Sequence, residues 1–116
     1  MSLSKIDIHT ERIESISVMR VGGSINALTC KNFLDEVKYA NRRGGVIIDM
    51  EEVEMISSVG IEALKQISEL SYNSGNKIVL LNLSNNVKSV LKMVGLLKVF
   101  SVAPNEEIAM KLVSGS

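Results

Sequence analysis

Two adjacent hydroxyls with a glycine two residues later, in "MISSVGIEAL" (Met55 to Leu64), are the groups in this chain best placed to do chemistry. The apolar spacing after them is that of a helix, so Ser57 or Ser58 can supply the N-cap oxygen, a contact worth about 1 kcal/mol. One oxygen suffices, and the pair raises the question of what the second does. A free hydroxyl there could accept a phosphoryl group, which would add about −1.5 to −2 charges. The positive end of the helix dipole would favour that anion by roughly 0.3–1 kcal/mol. Gly60, without a side chain, would leave the nearby backbone open to close approach. Capping alone is the competing explanation, since Ser-Ser-x-Gly suits any helix start.

Other chemistry lacks its parts. His9 is the sole imidazole and falls on a strand at the start of the chain, with no partners for a nucleophile-base arrangement. Cys30 is the only cysteine, so neither a disulfide within the chain nor a structural zinc cluster can be assembled from thiols. Neither glycine-rich phosphate motif occurs, and Glu51 to Glu54 ("EEVE") reads as a solvated acidic turn rather than a catalytic carboxylate pair. The expectation is a protein that is not an enzyme, with no catalytic residue, cofactor or metal.

Composition narrows the partners. The 13 basic and 13 acidic side chains balance, and there is no tryptophan, so neither an electrostatic field nor a stacking surface for nucleic acid is expected. Lys38, Arg42 and Arg43 read as the solvated end of a helix. Apolar runs are too short to span a bilayer, and the opening "MSLSKIDIHT" lacks the pattern of a secretory signal, which points to a cytoplasmic protein without membrane contact. At 116 residues the chain is expected to be a single domain, 1–116, long enough for a substantial core.

The elements that must position the serines follow from periodicity. Ile6 and Ile8, then Ile16 and Val18, alternate with polar residues and predict two strands turning near Glu11-Arg12, the second ending at Gly22-Gly23. Cys30, Phe33, Leu34, Val37 and Ala40 share a helical face, with Asn26 or Thr29 as its cap and Gly44 as its stop. Val46 to Met50 is a continuous β-branched run typical of a strand covered on both faces, and the acidic turn and a second helix follow it. That helix stops at Asn73 to Asn76; "KIVLLNL" is a further strand, and Ser84 caps a third helix that Gly95 ends. "LKVFSV" reads as a last strand, and Asn105 starts a final helix. The order β-β-α-β-α-β-α-β-α predicts an α/β fold, a mixed and largely parallel β-sheet with crossover helices.

"VIIDMEEVEMISSVGIEAL" resembles the signature of the anti-sigma factor antagonists, the STAS domain family: an apolar strand ending in Asp, a polar turn, then a Ser-x-Gly helix start. "VGGSINALTCKNF" resembles the family's segment before helix one, and "NNVKSVLKMVGLLKVFSVAPNEEIAM" its C-terminal pattern, so the resemblance spans nearly the whole chain. The resemblance implies that Ser58 is the phosphoacceptor and Gly60 the glycine after it. Asp49 matches the strand-end Asp, for which a turn-stabilising side-chain hydrogen bond is expected. The implied partner is an anti-sigma factor that is also a serine kinase, bound by the unphosphorylated form, with a metal-dependent serine phosphatase resetting the switch. Ser57, Val59, Gly60 and Ile61, with Gly23, Ser24 and Asn26 of the neighbouring loop, would form the contact surface on a monomer or weak dimer. Ser57 and Asn26 stand where the family commonly has Asp, which leaves Ser57 as a rival acceptor. The alternative is a STAS scaffold module in a multi-protein signalling complex, without phosphate cycling.

Overall fold

The computed structural model describes residues 5–115. Its elements are β1 (Ile6–Ile13), β2 (Ile16–Ile25), α1 (Cys30–Arg42), β3 (Val46–Ile56), α2 (Ser58–Ser74), β4 (Ile78–Leu81), α3 (Asn85–Met93), a 3₁₀ turn (Leu96–Lys98), β5 (Ser101–Ala103) and α4 (Glu106–Val113). The element order is the one expected. The strands form one sheet in the order β1-β2-β3-β4-β5, antiparallel between β1 and β2 and parallel across the rest.

The central strands are apolar throughout because both sheet faces are covered there. Ile48 and Leu80 face a core built with Phe33 and Val37 of α1, Leu64 and Ile67 of α2, and Leu91 of α3. Ile47 and Val79 face the opposite side, where Ala109 and Val113 of α4 cover them. One helix cannot cover a whole sheet face, so Asp7, His9, Arg20 and Asp49, on β1 to β3, line an open groove beside it. At the other end, buried Asn41 of α1 donates to the Asn76 carbonyl (3.1 Å) and accepts from Ser74 (2.7 Å), while Asn76 donates back to the Asn41 carbonyl (2.7 Å). That exchange satisfies the amide and locks the ends of α1 and α2 together.

Four boundaries differ from the sequence expectation. The first hairpin turns at Glu14-Ser15, with Ile13 opposite Ile16 and Glu14 at φ 58°. β2 runs through Gly22-Gly23 to Ile25, because the glycines let it pass close to its neighbours: a Cβ on Gly23 would lie 2.6 Å from the Lys5 carbonyl oxygen. Glu51 to Glu54 are strand, not turn. β3 carries an extra residue against β2 between Asp49 and Glu52 and another between Val53 and Met55, so Met50, Val53 and Ile56 face the core at a spacing that hides the strand's two-residue period. Finally, Leu96–Lys98 form a 3₁₀ turn, and the last strand is only Ser101–Ala103.

The start of α2 rests on a close approach. Gly60 is buried, and a Cβ there would lie 2.5 Å from the Ile25 carbonyl oxygen and 2.8 Å from Ile56 Cγ1. The open backbone expected at Gly60 is therefore filled from within the molecule. Helix propensity alone favours Gly60→Ala by about 1 kcal/mol. The Ile25 carbonyl belongs to a paired strand and cannot yield, so overpacking dominates, and Gly60→Ala is expected to lower stability by about 1–3 kcal/mol in urea denaturation.

Candidate functional site

β2 and β3 end side by side, with Ile25 paired to Ile56, and each continues into a helix start on the same rim of the sheet. Between β2 and α1 the chain folds on its own side chains. Thr29 Oγ1 donates to the Ser24 carbonyl (2.6 Å) and accepts from the Asn26 N–H (3.0 Å), while Asn26 Oδ1 accepts from the Leu28 N–H (2.9 Å). Thr29 occupies the N-cap position of α1 without making a side-chain cap bond, since its hydroxyl is committed to closing this loop. Ser24 is 1% exposed, so its side chain is not on the surface expected to meet a partner.

Between β3 and α2 the two serines have different fates. The Ser57 N–H donates to the Ile25 carbonyl (2.9 Å), and its Oγ accepts from the Gly60 N–H at a long 3.4 Å. Ser57 is thus the N-cap, half-buried and tied to β2. Ser58 is the first helical residue and is exposed. The first-turn N–H groups beside it lack intrahelical partners. No acidic side chain lies in that first turn, whereas α4 carries Glu106 and Glu107 in its own. The positive end of α2 is therefore the less neutralised of the two.

Exposed apolar side chains occur on the segments that meet at this rim: Met55 near the end of β3, Val59 next to Ser58 in α2, and Leu28, at 75% exposure, on the loop after β2. Ile61 is half-buried and packs on the core, and Gly23 lies half-buried within β2. Leu28 and Met55 were not singled out from the sequence; the signal available was a large apolar residue among loop-forming neighbours, which gains meaning only once the loop is seen on the same rim as Ser58.

Asp49 does more than turn the chain. Its Oδ1 accepts from the Glu51 N–H (3.1 Å), at the point where the extra residue in β3 interrupts the ladder with β2. Asn82 also reaches that oxygen (3.3 Å), and Oδ2 takes the Arg20 guanidinium at 2.9 Å. Arg20 in turn lies 3.5 Å from both Glu11 and Glu106, joining β1, β2, β3 and α4. Burial draws the Arg20 pKa down, but Glu106 and Asp49 outweigh it and the net shift is upward. Arg20 and Asp49 line the groove of about 630 Å³ on the open sheet face with Lys5, His9, Glu52 and Glu54. Among the described residues, no cluster of His, Cys, Asp or Glu has the arrangement to hold a metal ion, and no helix is long and apolar enough to cross a membrane.

The model of the STAS domain matches residues 7–109. Among curated proteins no sequence matches the chain. Among solved structures, the chain is similar to an anti-sigma factor antagonist from Mycobacterium paratuberculosis, at 23% identity over 97% of each chain with a TM-score of 0.83. It is similar also to the Bacillus cell fate determinant SpoIIAA in its phosphorylated form (17% identity, 91% of this chain and 99% of that one, TM-score 0.70). The same fold forms part of the murine solute carrier 26 family member A9 anion transporter, where the match covers 91% of this chain and 19% of that one at 18% identity and a TM-score of 0.77.

The Arg20–Asp49 contact is expected to be worth more than a surface ion pair, because the Asp49 carboxylate is largely buried and also serves the Glu51 N–H. A double-mutant cycle with Arg20→Met and Asp49→Asn should give a coupling of about 1 kcal/mol or more in urea denaturation, against the few tenths typical of exposed pairs. Additive losses would show that the two side chains act independently.

Proposed function

The chain belongs to the STAS domain family, and on that premise we propose that it is an anti-sigma factor antagonist working as a phosphorylation-controlled binding switch, with Ser58 as the acceptor. In this reading it is not an enzyme and acts in the cytoplasm. Unphosphorylated, it binds an anti-sigma factor that is also a serine kinase; phosphorylated, it lets go; a metal-dependent serine phosphatase restores it.

The observation that carries this reading is the division of labour between the two serines. Ser57 is occupied as a cap and anchored to Ile25, while Ser58 stands exposed at the helix start. A kinase needs the acceptor oxygen to reach its bound nucleotide, and only an exposed hydroxyl can do so without unfolding the helix. The exposed apolar side chains of the rim, Leu28, Met55 and Val59, supply the kind of surface a protein partner covers. A phosphoryl group at Ser58 is tolerated by the free domain, whose helix dipole favours it, and is costly in a closed interface, where it must lose water. A loss of about 1.4 kcal/mol already weakens binding tenfold. The resemblance to SpoIIAA, solved in a phosphorylated form, fits the proposal.

The alternative, a STAS scaffold module that does not cycle through phosphate, draws support from the same fold occurring inside a much larger transporter. The two readings differ in a single measurement. Incubated with its cognate kinase and ATP, the wild-type protein and Ser57→Ala should each gain one phosphate by intact mass, and Ser58→Ala none. Ser57→Ala should also lose about 1 kcal/mol of stability with its cap. Equal phosphorylation of the wild type and Ser58→Ala would reject Ser58, and no phosphorylation of either would favour the scaffold. Ser58→Asp is further expected to weaken kinase binding at least about tenfold by titration calorimetry.

A further inference from the structure

The two edges of the sheet are unlike. β5 has three residues and runs directly into Pro104, so it offers little backbone to another strand. β1 has eight residues, pairs with β2 in unbroken register from Ile6 to Ile13, and contains no proline or bulge. Its outer side has no neighbouring strand among the described residues.

Which backbone groups face outward follows from the ladder. The Ser24 N–H donates to the Lys5 carbonyl (3.2 Å), so the residues bonded to β2 are those in step with Lys5, namely Asp7, His9 and Glu11. The N–H and C=O groups of Ile6, Ile8, Thr10 and Arg12 therefore point away from the sheet. Side chains follow the same alternation: Lys5, Asp7 and His9 line the groove face, while Ile6 and Ile8 pack toward the helix-side core.

We propose that β1 is a self-association edge, pairing antiparallel with β1 of a second copy about a two-fold axis through Ile8 to make one continuous sheet across the dimer. The charges select the partner and the register. With Ile8 opposite the partner's Ile8, Thr10 hydrogen-bonds to the partner's Ile6 through the outward backbone groups. On the groove face Lys5 then lies opposite the partner's Glu11, and Asp7 opposite the partner's His9, each twice by symmetry. These fall at the non-hydrogen-bonded positions, where facing side chains are closest. Sliding two residues, the smallest slip that keeps the faces matched, sets Asp7 against the partner's Asp7 in one direction and against the partner's Glu11 in the other. Both slips place like charges face to face, so the sequence "KIDIHTE" is complementary to itself in one register.

The test is sedimentation equilibrium of the whole chain up to millimolar concentration. The wild type should show a reversible monomer-dimer equilibrium. Thr10→Pro removes an outward N–H that serves no bond to β2, so it should leave the thermal midpoint nearly unchanged and weaken dimerisation at least about tenfold. Lys5→Glu and Glu11→Lys should each weaken it by a similar factor, and the double exchange should restore it, with circular dichroism checking the fold of every variant. A protein that stays monomeric throughout overturns the proposal. So does a dimer that Thr10→Pro leaves intact, or one that the double exchange fails to restore.

Discussion

The arrangement of this molecule depends on one contact, the seating of the α2 start against the end of β2. The Ile25 carbonyl accepts the Ser57 N–H, and the same oxygen lies where a Cβ of residue 60 would have to go. Any side chain at residue 60 would push α2 away from the sheet. With glycine there, the cap residue is pinned, the helix axis is fixed, and the next residue is turned outward. The exposure of Ser58 is a consequence of the burial of Gly60.

That contact also joins two loops distant in sequence. The Asn26–Thr29 turn is held by its own side chains, and Ile25, the residue before it, is the one that anchors α2. The loop carrying exposed Leu28 and the helix start carrying exposed Val59 are thereby both tied to Ile25 at the end of β2. A rim of this kind suits a switch, because a charge added to Ser58 changes what the rim can bind while the caps and core beneath it remain formed.

The charged residues are divided between two regions with different work. Arg20 gathers Glu11, Asp49 and Glu106 on the open sheet face, where opposite charges offset one another and stitch β1 to β3 and α4. The α2 start, by contrast, has no acidic residue in its first turn. The first turn of α2 thus carries no carboxylate of its own to offset its positive end, and Glu62, one turn further on, is paired with Lys65.

The sequence by itself determined what is local. Ser84 and Asn105 cap their helices as their spacing predicts, accepting from the Val87 and Ile108 N–H groups three residues on, because an N-cap is a contact within one turn. The order of elements and the double-sided burial of Val46 to Met50 were legible for a similar reason, as apolar periodicity records which faces meet water. The tertiary structure alone decided what depends on residues far apart. β3 continues through its glutamates because β2 lies beside it to pair with them, and its extra residues erase the alternation by which a strand is recognised. Arg20 and Asp49 meet only because two parallel strands align them. Of the two serines either could cap the helix on local grounds; the choice fell to Ser57 because the Ile25 carbonyl, more than thirty residues earlier, holds its N–H.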